Sequence, residues 1–487
     1  MRSGLDRARD ARRYWPYLAV SVCFVASRWL YRHVFEIEFD ATPISSFIQY
    51  MDPWFIQHDF ARSLLYLHHQ APLQNLLVGG ALRLLGEPTA WVALEALYLL
   101  LGFCTVMGLL HVALRLGVQQ GIAAGVAALY ALSPATVIYE NWLLYHVPVT
   151  CCLVFSLAAL IRYYRVRTFG AALCFFSTIG TAALLRSTFG PVFLLAALSL
   201  PLLALPIGAE PKTARKTLLK AFAVPFALLT LNSLKPQLLI GHGYGETVLW
   251  GNISAKMRNQ LPGGELARLI ADGKVSRTTT IFCLGDLNTF GTLRIPHPPT
   301  GVPLLDMERA PNGRWNAHAL EYLLLTDKYY EPDARYLVSH YPVAYLESVV
   351  HAVLEYTRSS TEDSMLPWSE NYQRVGRVNA VLDRVFFRRQ DKSLGLLLFG
   401  LPVLLAYGVY RVLQSRKLAS QRCATVALGY VLVSIGYVAG VSLLISCGDF
   451  SRYRFDLDPF HLLLLALLLS DLRRAFASAL RRASAPA

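Results

Sequence analysis

The stretch PTAWVALEALYLLLGFCTVMGLLHVAL (88–114) holds a single formal charge, Glu95. The hydrocarbon core of a membrane takes a helix of about 20 apolar residues, so a run of this length and composition reads as a transmembrane helix. Nine further runs follow the same pattern, at 15–35, 119–138, 146–161, 170–186, 189–208, 218–240, 394–411, 423–446 and 459–472. The whole chain agrees: of its 487 residues 54% are hydrophobic and 16% charged, and the mean hydropathy is +0.39. Soluble chains carry about a quarter charged residues, so a soluble multidomain enzyme is excluded. The fold class expected is an all-α polytopic membrane protein of about ten transmembrane helices. Its organisation follows from where the runs lie: seven helices in 1–240, an extracytoplasmic loop domain at 241–393, and three helices with a cytoplasmic tail in 394–487.

The formal charge is +14, and its placement decides what it means. A nucleic-acid groove needs a polar surface around its basic residues, whereas these basic residues flank apolar runs, so no nucleic-acid partner is expected. With the N-terminus inside, every alternate connection is basic: Arg115, then Arg162, Arg165 and Arg167, then Lys212, Arg215, Lys216 and Lys220, then Arg411, Arg416, Lys417 and Arg422, and finally Arg473, Arg474, Arg481 and Arg482. This is the positive-inside pattern, with both termini cytoplasmic. The shorter stretch 72–86 would break the alternation as a span and is read as an interfacial helix within the first outer loop, 36–87. The basic N-terminus (Arg2, Arg7, Arg9, Arg12, Arg13) precedes an apolar run without a small-residue cleavage site, which reads as a retained first helix. Eight cysteines, dispersed and mostly within apolar runs, suggest neither a disulfide framework nor a zinc site.

Chemistry is therefore expected on the outer side. Asp40, Asp52 and Asp59, with His68, His69 and Gln70, follow the first span directly. A partly desolvated carboxylate at the interface suits general-base work on a hydroxyl, and Asp40 and Asp52 are the candidates. Both precede Pro-containing helix starts, so helix capping explains them equally. Glu140 sits in a short outer turn with Asn141, Trp142, Tyr145 and His146, a set able to bind a sugar head group, although aromatic residues also anchor helices at the interface. Arg186, Arg452 and Arg454 lie outside, against the charge rule; they either pair with neighbouring aspartates such as Asp456 and Asp458 or bind a phosphate. Glu95 is an intramembrane carboxylate with Arg83 or Arg28 as its expected partner. GHGYGE (241–246) reads as a turn, Asn252-Ile-Ser254 matches a glycosylation sequon, and 314–356 reads as helices punctuated by Pro332 and Pro342.

Three patterns resemble the polytopic GT-C glycosyltransferases, which use a polyprenyl-phosphate-linked sugar as donor. Asp40, a short helix and YLHHQAPLQNLLVGGALRLLG (66–86) are similar to the juxtamembrane segment of lipid A aminoarabinose transferases and protein O-mannosyltransferases. The Glu140-Asn-Trp turn takes the place of that class's second outer acidic cluster, and GDFSRYRFDLDPF (448–460) is similar to its late outer arginine pattern. The chain departs from the class where Ala71 replaces the first proline of Pro-Pro-Leu and where Asp40-Ala41 replaces an Asp-Glu pair. The resemblance implies an inverting single displacement with Asp40 or Asp52 as base, with Arg186, Arg452 and Arg454 on the donor phosphate, and with Glu140, His69, Gln70 and Tyr145 on substrate. It implies a glycan, lipid or protein acceptor and no obligatory metal or other cofactor; the single sequon and the compact loop point to the bacterial inner membrane. A lipid or glycolipid transporter and a non-catalytic envelope assembly protein are the alternatives, the first disfavoured by seven spans before the loop and three after it.

Overall fold

A computed structural model describes residues 4–483 apart from 69, 205–208, 281–298, 327–329, 363–365, 367–368, 388–394, 417–420 and 449. The chain is almost wholly helical; among the described residues the β pairing consists of two isolated bridges, Asp40 with Trp142 and Arg309 with Trp315. Every apolar run read from the sequence is helical over most of its described residues. Among the described residues, five helices are long and apolar enough to cross a membrane: Glu87–Arg115, His146–Val166, Lys212–Ile240, Gly395–Arg416 and Arg422–Ile445. Gln120–Leu132 and Pro134–Glu140 make a sixth when taken as one span bent by 56°. The bend falls at Ser133-Pro134, where proline has no N–H to continue the first helix and disfavours helical geometry in the residue before it. Phe169–Leu185 and Pro191–Leu203 are apolar but shorter, so the helices long and apolar enough to cross number five or six among the described residues, against the ten crossings expected.

The stretch expected to lie at the interface forms the helix Pro72–Leu85, opened by proline and closed by Gly86 at a φ of 75° that only glycine adopts freely. It packs against Glu87–Arg115 and Phe169–Leu185. Within the bundle, close packing and interhelical hydrogen bonds hold the helices together. Ser156 Oγ and Tyr430 OH, 2.7 Å apart and buried, join His146–Val166 to Arg422–Ile445.

The connections sort to two ends of the bundle. At one end Trp15 Nε1 donates to Gln120 Oε1 at 3.0 Å, Tyr17 OH meets His111 Nδ1 at 3.1 Å, and Arg474 Nη2 donates to Gly117 O at 2.7 Å. This end carries the arginine-rich connections. At the other, Tyr139 OH donates to Ser360 O at 2.9 Å, and Asn371 exchanges hydrogen bonds with the backbone of Glu38 at 3.1 and 2.6 Å. The alternation of charge along the sequence thus becomes a separation in space.

The described residues of 241–393 lie at this second, polar end as a cap of helices that includes Glu246–Arg258, Glu265–Ala271, Ala317–Thr326, Tyr330–His340, Pro342–Tyr356 and Glu370–Phe386. A small core of Met257, Leu269, Val275, Leu337 and Ala344 holds part of it together. The glycine-rich stretch after Ile240 is a turn, with Gly241 and Gly245 at positive φ. The sequon, by contrast, lies inside Glu246–Arg258, where Asn252 and Ser254 are buried. Its amide is inaccessible in the folded chain.

Candidate functional site

The turn 141–146 organises the polar end. A chain reversal leaves backbone groups that need partners, and here each partner comes from a different segment. Asp40 N–H donates to Asn141 O at 2.7 Å, and Leu143 N–H donates back to Asp40 O at 2.9 Å. Tyr50 OH donates to Leu143 O at 2.7 Å and Tyr98 OH to Leu144 O at 3.0 Å. Gln74 Nε2 donates to both tyrosine oxygens, each at 2.8 Å. Burial pushes the Tyr50 hydroxyl well above its ordinary value, which keeps it a donor. The Tyr139 ring stacks on Phe455 with centroids 4.0 Å apart, tying the turn to the late segment 450–458.

The two candidate bases are held differently. Asp52 is the N-cap of Pro53–His58: Oδ1 accepts from Trp54 N–H at 2.8 Å, and Asn312 Nδ2 donates to Oδ1 and Oδ2 at 3.0 and 3.1 Å. Both oxygens are engaged. Asp40 Oδ1 accepts from Thr42 N–H at 2.9 Å and from Thr42 Oγ1 at 2.6 Å, whereas Oδ2 has no such partner among the described residues. The capping expected of Asp52 is present; the Asp40 carboxylate is oriented on one oxygen and open on the other.

Glu140 differs from its sequence reading. Rather than presenting a carboxylate in an outer turn, it ends the helix Pro134–Glu140 with no exposed surface. Arg28 grips it with two hydrogen bonds, Nε to Oε2 at 2.7 Å and Nη2 to Oε1 at 2.5 Å. Gly102 makes room for it, since a Cβ there would collide with the carboxylate. Glu95 pairs with Arg32 instead of Arg83 or Arg28.

The arginines form a buried cluster. Arg186, at the end of Phe169–Leu185, donates through Nη1 to Asp456 Oδ2, and Asp456 Oδ1 also accepts from His146 Nδ1 at 2.7 Å. Its guanidinium lies over the Tyr453 ring at 4.0 Å and the Tyr145 ring at 5.2 Å, while Nη2 is buried without a hydrogen-bond partner among the described residues. Arg452 and Arg454 are buried on the helix Phe450–Phe455. Burial pushes the Tyr145 hydroxyl up, and the charges of Arg186 and Arg452 beside it oppose that rise. Arg454 Nη1 donates to Tyr356 O at 2.5 Å and Arg358 O at 2.6 Å, closing the end of the helix Pro342–Tyr356. Gln70 is half-buried outside this cluster, and His69 lies outside the described residues.

A cavity of about 400 Å³ opens beside Asp52, lined also by Tyr50, Arg314, Trp315, Asn316 and His318. Its polar donors and an indole face suit a hydroxyl-rich ligand. Arg314 and His318 are additions to the residues expected from sequence, and His146 and Asp456, read there as a turn residue and an arginine partner, join the cluster itself. Asp456 had a signal as a charge near arginines on an outer turn, and His146 as a polar residue of the same turn as Glu140. Arg314 and His318, deep in a long polar loop, had none.

These features define a multi-pass helical membrane protein with a polar, arginine-containing site at one end of its bundle. Among solved structures, the chain is similar to the archaeal oligosaccharyltransferase AglB of Archaeoglobus fulgidus in complex with an inhibitory peptide and a dolichol-phosphate, at 14% identity and a TM-score of 0.46 over 98% of this chain and 53% of that one. It is similar to the Archaeoglobus fulgidus oligosaccharyltransferase tethered to an acceptor peptide at 12% identity and a TM-score of 0.43, covering 94% of this chain and 50% of that one. The chain spans about half the length of these proteins. No family model matches it, and no curated protein matches it.

Proposed function

We propose that the chain is a membrane glycosyltransferase of the GT-C kind that moves a sugar from a polyprenyl-phosphate donor to an acceptor hydroxyl at the extracytoplasmic face. The observation that carries the reading is the strap 141–146. It holds a half-open carboxylate, Asp40, through its first residues and the Arg186–Asp456–His146 cluster through its last. A glycosyl transfer needs both functions, a base for the incoming hydroxyl and a cation for the departing phosphate. The charge separation between the two ends supports placing the polar end outside and both termini in the cytoplasm.

In the proposed reaction the acceptor oxygen attacks the anomeric carbon as its proton passes to Asp40 Oδ2. The bond from that carbon to the phosphate oxygen breaks on the opposite face, and polyprenyl phosphate leaves with the electron pair. Arg186 spends Nη1 on Asp456, which fixes the guanidinium, and offers Nη2 to the phosphate; Arg452 adds charge. Arg454 holds the cap in place. Phosphate neutralised by arginine needs no obligatory metal. The cavity beside Asp52 takes the acceptor, be it glycan, lipid or protein, with Trp315 as its apolar face.

The test uses isosteric variants of the full chain in membranes supplied with polyprenyl-phosphate sugars. Asparagine caps helices as well as aspartate does, so Asp52→Asn keeps its helix. We expect Asp40→Asn to lower transfer by at least about 100-fold, the usual worth of a general base, with Asp52→Asn close to wild type. Full activity of Asp40→Asn would overturn the assignment. The bent span Gln120–Leu132/Pro134–Glu140 with its buried Arg28–Glu140 pair favours a transporter as the second reading. That protein would move a substrate without forming a covalent product.

A further inference from the structure

The basic end of the bundle contains a cavity of about 680 Å³ between the helices Glu87–Arg115 and His146–Val166 and the start of Phe169–Leu185. Its floor is apolar, with Phe155, Ala158, Ala159, Ile161 and Ala171 among its residues. Every formally charged residue lining it is an arginine: Arg115, Arg162 and Arg165. All three are exposed at its rim. Arg115 Nε approaches His111 Nε2 at 3.4 Å, and Arg162 and Arg165 meet no carboxylate among the described residues. At the opposite end, by contrast, Arg186 pairs with an aspartate and Arg358 with two glutamates.

We infer that this cavity is a binding site for an anionic glycerophospholipid of the membrane leaflet at the basic end. Three guanidinium groups converge where a head-group phosphate would sit, and an arginine's planar fork matches phosphate oxygens geometrically. The apolar floor below them takes an acyl chain. Orientation alone requires basic residues on a connection; it does not require a cavity with an apolar floor behind them. Basic pockets between spanning helices on the cytoplasmic side are the recurrent form of head-group recognition. The occupant is an anionic lipid rather than free phosphate, because the volume beneath the rim is apolar and a small anion would leave it unfilled.

The experiment is native mass spectrometry of the full-length protein with phosphatidylglycerol, phosphatidylcholine and inorganic phosphate in separate arms. Retention of phosphatidylglycerol over phosphatidylcholine by about tenfold or more is expected, because both lipids carry the phosphate but choline sets a second cation among the three arginines, and like charges brought together cost at least roughly that factor. Two variants act on different halves of the site: Arg162→Gln with Arg165→Gln removes cations, and Ala158→Trp fills the floor while keeping every charge. Each should reduce phosphatidylglycerol retention at least about fivefold with phosphatidylcholine unchanged. Undiminished retention in Ala158→Trp would overturn the proposal, because rim charge alone would then suffice. Equal retention of the two lipids would show a non-specific annulus, and displacement of phosphatidylglycerol by millimolar phosphate would show a simple anion site; either overturns it. Should the double arginine variant fail to fold, Arg162→Gln alone serves against the same criteria.

Discussion

Two buried ion pairs at the polar end, Arg28–Glu140 and Arg186–Asp456, are alike in chemistry and opposite in what they leave over. Glu140 has both oxygens on Arg28, and Arg28 Nη1 is itself engaged by Ser27 and Ala131 O. The pair is closed. Asp456 shares its oxygens between His146 and Arg186, leaving Arg186 Nη2 and His146 Nε2 buried without partners among the described residues. An unsatisfied buried polar group costs on the order of 1–3 kcal/mol, so a site that keeps two of them, a guanidinium donor and an imidazole acceptor, is organised for something that arrives. The closed pair serves packing; the open one has capacity to spare.

The largest effects should come from stranding a charge. Breaking a buried pair from one side costs about 3–5 kcal/mol, since the other charge is left uncompensated. Glu140→Gln and Asp456→Ala should both lower thermal stability in detergent by that order. They should differ in activity: the folded fraction of Glu140→Gln should still transfer sugar, and that of Asp456→Ala should not. Loss of transfer per folded molecule in Glu140→Gln would erase the distinction between the pairs.

Arginine-to-lysine substitutions sharpen it. Lysine keeps the charge but loses the fork. Arg186→Lys retains its contact with Asp456 and loses the spare nitrogen, so stability should fall by about 1 kcal/mol or less while transfer falls about tenfold or more. Arg28→Lys should do the reverse, weakening a two-point grip inside the bundle with little effect on activity. A unfolding series that showed equal stability losses for both would mean that the forks are equivalent.

A smaller effect tests why the closed pair fits at all. Gly102 abuts the Glu140 carboxylate, and Gly102→Ala should cost about 1–3 kcal/mol through overpacking. The double variant Gly102→Ala/Glu140→Ala should lose less than the two single losses added together, because the clash disappears with the side chain. Simple additivity would show that the alanine is accommodated elsewhere.

Much of this arrangement was legible in the sequence and some was not, for a physical reason. Helices declare themselves through local composition, so each apolar run, the Pro72–Leu85 helix and the Asp52 cap could be read from a few adjacent residues. The expectation that outer arginines pair with nearby aspartates holds in kind for Arg186, although Asp456 is 270 residues away in sequence. Partners are a tertiary property. Glu140 meets a residue 112 positions earlier, and Glu95 meets Arg32, a choice set by how two helices are rotated about their axes. Asp40, the first choice as base, and Asp52, the second, look alike as motifs because both precede helix starts. Only the partner atoms, Asn312 on one and Thr42 on the other, separate them. The burial of the sequon is of the same kind: three adjacent residues carry no record of what Glu246–Arg258 imposes on them.

Lys256 gives the third way to handle a buried cation and the smallest effect. It is buried in the cap, donates to Leu443 O, and lies 5.6 Å from the Phe450 ring. With no carboxylate bound, burial pulls its ammonium from 10.5 down to about 8. A folded-state value below the unfolded one means that the unfolded chain binds more protons between the two. The contribution of Lys256 to stability is therefore poorest below about pH 8 and improves as pH rises from about 8 toward 10.5. Lys256→Met removes the titration, so the stability difference between wild type and variant should move in favour of wild type across that window when unfolding is followed at a series of pH values. Arg186, whose charge is held by Asp456, should show no such trend in the same comparison with Arg186→Met. A flat difference for Lys256 would mean that Leu443 O stabilises the ammonium as well as a carboxylate does, and a bound acid would then not be what separates the paired arginines from the lone lysine.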